Sequence, residues 1–398
     1  MSPTATVSQK TTPAPQRYMQ GIAVPASSVR PMDFMARTRR QTILEKNQAF
    51  AGLGLTDTFE LKKSGIIAGI VIRFVGNVVI TLPTGTAAAT FRWPYDLMKA
   101  LRFTANGQAN IINCSGLKLK ARQATATPAA DDRGVSQSFN NATINQGSLA
   151  LASESWGVGA GQTAISAGTY PVDLEWFVPV AEDQVDLNGA IFAATSSTDL
   201  TVSIDWESAA NLFALTGTAT AVVTGNVSVT VQKYTIPLGP DGEIIVPDLS
   251  TFHSLIQSRY ANQASGANEV RLIGQGAGKT LLRTYFQTYT GAAPAVTPLA
   301  LNDVNYGELA WRYGSNETPE DVSGGQILRY INEQTYNVDL GGKWGFGCWD
   351  FAASNAFRDA VDMGSAAELR LLITLLGNPT TPAFEVVQET IFSAGAGG

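Results

Sequence analysis

Histidine is nearly missing from this chain. Among 398 residues there is one, His253. Cysteine occurs twice, at Cys114 and Cys348, with no close-spaced pair. These shortages remove the zinc and c-type haem signatures, which need clustered Cys and His. A Cys–His nucleophile pair would have to recruit His253, in "STFHSLIQ", to one distant cysteine at hydrogen-bond range. A packing or capping role fits that histidine better, and no cofactor or metal is expected. Both cysteines read as reduced, buried, small hydrophobes; sequence leaves open whether they are bonded to each other.

Charge is also scarce. Asp, Glu, Lys and Arg make up 15% of the chain, against ~25% for an ordinary soluble protein. Low charge weakens repulsion between copies and suits a protein covered by neighbours. The net charge of −6 argues against wholesale nucleic-acid binding, and no specific nucleic-acid partner is expected. Long apolar runs are absent too. The nearest, "SGIIAGIVIRFVGNVVITL", is broken by Arg73 and Asn77, short of the ~20 apolar residues a spanning helix needs. Its β-branched residues read as buried strand. The opening "MSPTATVSQK" has no apolar h-region, so the expectation is a chain made and kept in the cytoplasm.

Two motifs test for catalysis. "RLIGQGAGKTLLR" (271–283) ends in Gly278-Lys279-Thr280 like a phosphate cradle, but Ile273 stands where a P-loop needs its first glycine. The residues after the threonine, "LLRTYFQTYT", read as strand, not as the helix whose N-terminus would face a phosphate. The carboxylate pairs Asp131-Asp132, Glu182-Asp183 and Glu320-Asp321 are sequence neighbours, which point opposite ways in extended chain; they read as solvated turns. No catalytic residue is assigned.

What the chain does have is period-two hydrophobicity. "LKLKAR" (117–122), "VDLEWFV" (172–178), "LTVSIDW" (200–206), "VSVTVQ" (227–232), "LRTYFQTY" and "ELRLLITL" (368–375) all alternate, as strands with one face on a core do. Helices are expected at "MDFMARTRRQTILEK" (32–46), "WPYDLMKALRF", "DLSTFHSLIQSRYANQ" (248–263) and "FAASNAFRDAVDM" (351–363). Residues 1–46 hold seven cations, Lys10, Arg17, Arg30, Arg37, Arg39, Arg40 and Lys46, against Asp33 and Glu45. A basic arm therefore precedes an acidic body.

The two halves echo each other. "LRFTANG" (101–107) matches "WRYGSNE" (311–317), and Val172-Asp173-Leu174 matches Val338-Asp339-Leu340. The alternating strands starting at Thr201 and Glu368 correspond, as do "VQKYTI" (231–236) and "VQETI" (387–391). The first half carries a long Ala/Ser/Gly/Thr/Asn insertion at about 123–169, long enough to serve a function or stay disordered.

With these paired landmarks, "WPYDLMKALRFTANGQANI" against "ELAWRYGSNE", and the segment "NVDLGGKWGFGCWDFAASNAFRDAVDMGSAAELRLLITL", the chain resembles the double jelly-roll major capsid proteins of tailless, membrane-containing, tectivirus-like bacteriophages. The resemblance implies an all-β fold of two tandem eight-stranded jelly-roll sandwiches with a few short helices and an extended N-terminal arm. Residues 1–50 would be arm and helix, 51–240 the first jelly roll, 241–392 the second and 393–398 a Gly-rich tail. It further implies a virion shell protein without catalysis. The expected partners are two further copies in a homotrimer, neighbouring capsomers, and vertex (penton) and minor capsid proteins; the basic arm would either meet an internal viral membrane or clamp neighbouring trimers, with a genome contact the third choice. The rival readings are a β-sandwich adhesin or carbohydrate-binding surface protein, and a β-sandwich enzyme.

Overall fold

The computed structural model describes residues 17–19, 22–24, 31–126, 164–183, 186–194, 199–238, 244–272, 278–291, 296–313, 317–353, 359–364 and 368–393. Sixteen strands carry the fold. The first eight are β1 (Arg40–Ala49), β2 (Thr56–Glu60), β3 (Ile66–Thr81), β4 (Met98–Ala105), β5 (Gln108–Cys114), β6 (Gly168–Pro179), β7 (Leu200–Trp206) and β8 (Thr220–Tyr234). The second eight are β9 (Thr251–Tyr260), β10 (Gly266–Arg271), β11 (Lys279–Thr290), β12 (Tyr306–Tyr313), β13 (Glu317–Val322), β14 (Phe346–Asp350), β15 (Leu369–Leu375) and β16 (Ala383–Ser393).

The strand orders are the same in both sets. One sheet of the first set runs β6-β3-β8-β1, and its counterpart runs β14-β11-β16-β9. The opposing sheets run β5-β4-β7-β2 and β13-β12-β15-β10. Each set is thus an eight-stranded jelly roll, the double Greek key in which two four-stranded sheets share one core. The two are welded by a parallel pairing of β5 with β9, Leu255 opposite Ile112 and Ile256 opposite Asn113.

The internal repeat holds at the level of register for two of its landmarks. Leu101, Arg102 and Phe103 pair with Ile204, Ser203 and Val202. Trp311, Arg312 and Tyr313 pair with Leu371, Arg370 and Leu369. The other two shift. Val172–Leu174 lies within β6, whereas Val338 and Asp339 lie outside any strand and Leu340 opens a short helix. Val231 points into the core of its own sandwich, whereas Val387 turns away from the second core.

Four expected elements changed type. "LKLKAR" is helix: α2 spans Gly116–Ala126, so the long insertion begins after it. Residues 127–163 of that insertion lie outside the described residues. The helix expected over 32–46 shrinks to α1, Pro31–Met35, and the chain from Arg40 is strand β1. "WPYDLMKALRF" forms one 3-10 turn, Tyr95–Leu97, before β4. "DLSTFHSLIQSRYANQ" is β9, whose spacing at Phe252, Leu255 and Ile256 imitates a helix because both faces of the strand are covered. Most of the helix expected at 351–363 lies outside the described residues; Val361–Asp362 is a two-residue strand. Among the described residues the remaining helices are α3, Gly325–Tyr336, and α4, Leu340–Trp344, with a single helical turn at Ala209–Leu212.

Phe34, fully buried, closes the end of the first sandwich with Ile66, Phe192, Tyr234 and Leu249. It marks where the N-terminal segment is fixed to the body.

Candidate functional site: the charged seam between the sandwiches

In both sandwiches a helix connects the fifth and sixth strands, α2 in the first and α3 in the second. α2 enters where only glycine fits. A Cβ on Gly116 would fall 2.1 Å from the Tyr95 carbonyl oxygen and 2.5 Å from the Trp176 indole nitrogen. The buried Asp96 carboxylate accepts from the Leu117 amide at 3.1 Å, satisfying one of the orphan N–H groups of the first turn. One side of α2 roofs the first core through Leu117, Ala121 and Ala124. Its other side meets the second sandwich's β14-β11-β16-β9 sheet.

Two clusters of charge fill that junction. In the first, Lys118 Nζ donates to Gln287 Oε1 at 2.8 Å and Tyr289 Oη at 2.6 Å, and lies 2.7 Å from Glu385 Oε2. Three acceptors meet the three ammonium protons. Gln257 donates to the same Glu385 oxygen at 3.2 Å, and Arg92 stands between Asp96 and Glu385. Burial pushes the Asp96 carboxyl up, against the pull of Lys118 and Arg92. Burial acts the same way on Glu385, but there Lys118 and Arg92 prevail and hold it below its usual value.

The second cluster centres on Glu389, which is fully buried. Its Oε1 accepts from Arg122 Nε at 2.7 Å, Arg283 Nη1 at 3.2 Å and His253 Nε2 at 2.9 Å. Arg283 also contacts Glu182 at 3.2 Å, and its Nε lies 3.1 Å from Asp350 without the angle of a hydrogen bond. The other imidazole nitrogen of His253 is 2.8 Å from the Pro179 carbonyl oxygen. The ring thus bridges a carboxylate and a backbone carbonyl, both acceptors. Arg122 and Arg283 face Glu182, Asp350 and Glu389 across the junction. Burial would raise Glu389, yet Arg122, Arg283 and His253 outweigh it and hold the carboxyl well below the ordinary range. Thr125 and Tyr285 share a hydrogen bond at 2.7 Å across the same junction.

This arrangement is structural chemistry. Its charges are paired, dry and closed to solutes, and it locks α2 of one sandwich to the sheet of the next. Lys120, also on α2, makes no ion pair among the described residues; its ammonium lies over the Tyr95 ring, and burial lowers it to about 8 against the pull of Glu175.

The residues singled out in sequence sit elsewhere. Arg37, Arg39, Arg40 and Lys46 are exposed along the start of β1. Arg17 is in a short strand pair, Arg17–Met19 with Ile22–Val24, and Lys10 and Arg30 lie outside the described residues. Sequence reasoning missed Lys62 and Lys63, exposed just before β3. They lie at the same end as Arg40, because Arg40 pairs with Tyr234, which pairs with Ile66. The Gly278-Lys279 motif is a turn, φ 75° at Gly278, leading straight into β11; no helix N-terminus comes after it. Glu182, read as a solvated turn, is instead a buried partner of Arg283. His253, expected to pack or to cap a helix, lies on a strand instead and is hydrogen-bonded through both ring nitrogens, to Glu389 and to the Pro179 carbonyl. Cys114 and Cys348 are buried and unbonded, and burial pushes the Cys114 thiol up to about 12. Among the described residues no group of three His, Cys, Asp or Glu is placed to hold a metal ion. No helix among them is long and apolar enough to cross a membrane.

No family model matches the sequence, and no curated protein matches it. Solved structures do resemble it. The STIV MCP crystal structure superposes with a TM-score of 0.60 at 15% identity, covering 89% of this chain and 96% of that one. A chain of the atomic structure of Sulfolobus Turreted Icosahedral Virus gives a TM-score of 0.60 at 15% identity, over 89% and 90%. A chain of the PBCV-1 virus capsid gives 0.58 at 12% identity, over 90% and 96%. At these identities the likeness is one of fold, and the fold this chain shares with those shell proteins is two jelly-roll sandwiches in tandem.

Proposed function

We propose that this chain is the major capsid protein of an icosahedral, tectivirus-like phage, a structural subunit without catalysis. One observation carries the reading: the same eight-stranded jelly roll occurs twice, with the same strand order, and a closed seam of buried charge joins the two. A rigid pair of like modules is the unit from which three copies make a ring of six, a threefold object with a nearly sixfold outline. Such a capsomer tiles a shell, each contact with neighbouring capsomers, penton or minor capsid proteins strengthened by the others.

On this reading residues 1–50 form the arm and its anchor, 51–240 and 241–392 the two modules, and 393–398 a tail. The exposed cations Arg37, Arg39, Arg40 and Lys46 lie near the root of the arm, with Lys62 and Lys63 beside them. Together with Lys10, Arg17 and Arg30 they would face anionic headgroups of an internal membrane or clamp neighbouring trimers. The protein would assemble in the host cytoplasm and reside in the virion.

Light scattering on the purified 42.1 kDa chain tests the reading. The expected result is a species of three chains, with a hexagonal outline in electron micrographs. A monomer at all concentrations, unable to form shells, would overturn it.

A further inference from the structure

The joint inside the chain is used once and left unused once. α2 is buried at nine of its eleven residues, because the first core and the outer face of the sheet β14-β11-β16-β9 cover it between them. As a result β11 and β16 are dry on both faces. α3 occupies the equivalent position in the second sandwich but is covered on one side only. Leu328, Asn332 and Tyr336 face inward, while Ile327, Tyr330 and Ile331 lie open, Tyr330 with 60% of its surface exposed. The counterpart of the covering sheet, β6-β3-β8-β1, is likewise open on its outer face. Leu44 is 56% and Val75 45% exposed there, and Val71 and Phe177 are half-buried.

Leu44, Thr230, Val71 and Phe177 form one row across that sheet, because Thr230 pairs with both Leu44 and Val71, and Val71 with Phe177. The nearby charge, Arg73, is engaged with Asp173 at 2.6 Å and Glu175 at 3.4 Å. The open helix face has no cation to bring, unlike α2 with Lys118 and Arg122, and the open sheet face offers no cluster of buried carboxylates to receive one. The two unused surfaces match each other in their exposed apolar residues, with Arg73 on the sheet and Arg329 on the helix each already paired to a carboxylate.

We infer that the Ile327–Tyr330–Ile331 face of α3 docks on the outer face of the β6-β3-β8-β1 sheet of a second copy of this chain, repeating between molecules the joint that α2 makes within one. The contact is head-to-tail, so it either closes into a ring or runs on without end. With two joints per chain, closure at three chains uses six equivalent joints, three sealed by charge and three by apolar contact. This rests on the capsomer reading, and it assigns that capsomer's inter-chain surface.

Two variants of the full chain test it. Tyr330→Glu with Ile331→Glu should keep the wild-type circular dichroism and thermal transition, yet raise the trimer's dissociation constant roughly 30-fold or more, the scale of losing an aromatic anchor. Ile331→Cys with Val75→Cys, treated with a short bismaleimide, should give covalent oligomers that neither single variant gives; the native thiols are buried. A trimer unchanged by the charge pair, together with no inter-chain cross-link, would overturn this interface while leaving the capsomer reading standing. A wild-type chain that never trimerises would overturn both.

Discussion

Glu389 is where Arg122, Arg283 and His253, from both sandwiches, meet on one carboxylate. Breaking a buried ion group by removing one partner costs far more than the group contributes over an apolar replacement, because the remaining charges are left without compensation. Glu389→Gln leaves Arg122, Arg283 and His253 facing only Glu182 and Asp350. The expected loss is about 3–5 kcal/mol, read by calorimetry near neutral pH. The pH dependence has a definite sign. Glu389 and Glu385 are held below their ordinary 4.5 in the folded protein. Their contribution is therefore complete above pH 4.5 and disappears as pH falls through the depressed values. Asp96, raised above 3.8, acts oppositely: acid relieves its desolvation. The stability gap between wild type and Glu389→Gln should be flat above about pH 5 and narrow below 4.5. A gap that widens in acid would contradict the assignment. The sequence carried a hint of this cluster. Arg283 in "LLRTYF" and Glu389 in "VVQETIF" are charges inside otherwise apolar strands, and such charges are stable only when paired. Which charge meets which was illegible, because the partners lie 106 positions apart and the pairing is set by how the sandwiches dock.

At the scale of elements, strands with one wet face were legible and elements with two dry faces were not. β7 and β15 alternate buried and half-buried residues without a fault, and both were read correctly. β9 and α2 were exchanged in type. α2 shows Leu-Lys-Leu-Lys alternation, yet its lysines are as dry as its leucines, since Lys118 turns to the carboxylate of the next sandwich. Period-two reading assumes that charge means water; at a seam that assumption fails. Helical geometry puts Lys118, Arg122 and Thr125 on the face toward the next sandwich and Leu117, Ala121 and Ala124 on the face toward the first core; a strand would have exchanged the sides of Ala124 and Thr125. Ala121→Pro therefore attacks both sides of the joint. It removes an internal helix hydrogen bond and clashes with the preceding turn, at ~3 kcal/mol or more. The expected outcome is a single calorimetric transition split into two, as the sandwiches melt apart. One transition, simply shifted, would mean that the β5–β9 weld alone couples them.

For the whole molecule, the tandem plan was legible because two landmarks of the repeat lie on paired strands of each sandwich, where register preserves them. The arm's purpose was not, since cations describe only what they attract. Phe34, buried among Ile66, Phe192 and Tyr234, fixes the point beyond which the body no longer depends on the arm. Deleting residues 1–30 removes Lys10, Arg17 and Arg30 and leaves that anchor in place. The thermal midpoint should stay within about a degree of wild type, because none of the described contacts of the two cores is removed. If the arm meets lipid, each lost cation weakens binding to an anionic surface by about 1 kcal/mol. Three of them then lower affinity for phosphatidylserine vesicles roughly 100-fold, measured by co-sedimentation at low salt. The residual binding belongs to Arg37, Arg39, Arg40, Lys46, Lys62 and Lys63, and it should vanish as rising salt shortens the reach of surface charge. Equal binding by the two forms would remove the lipid role from the arm. A trimer that persists while shell assembly fails would assign the arm to clamping neighbouring capsomers instead.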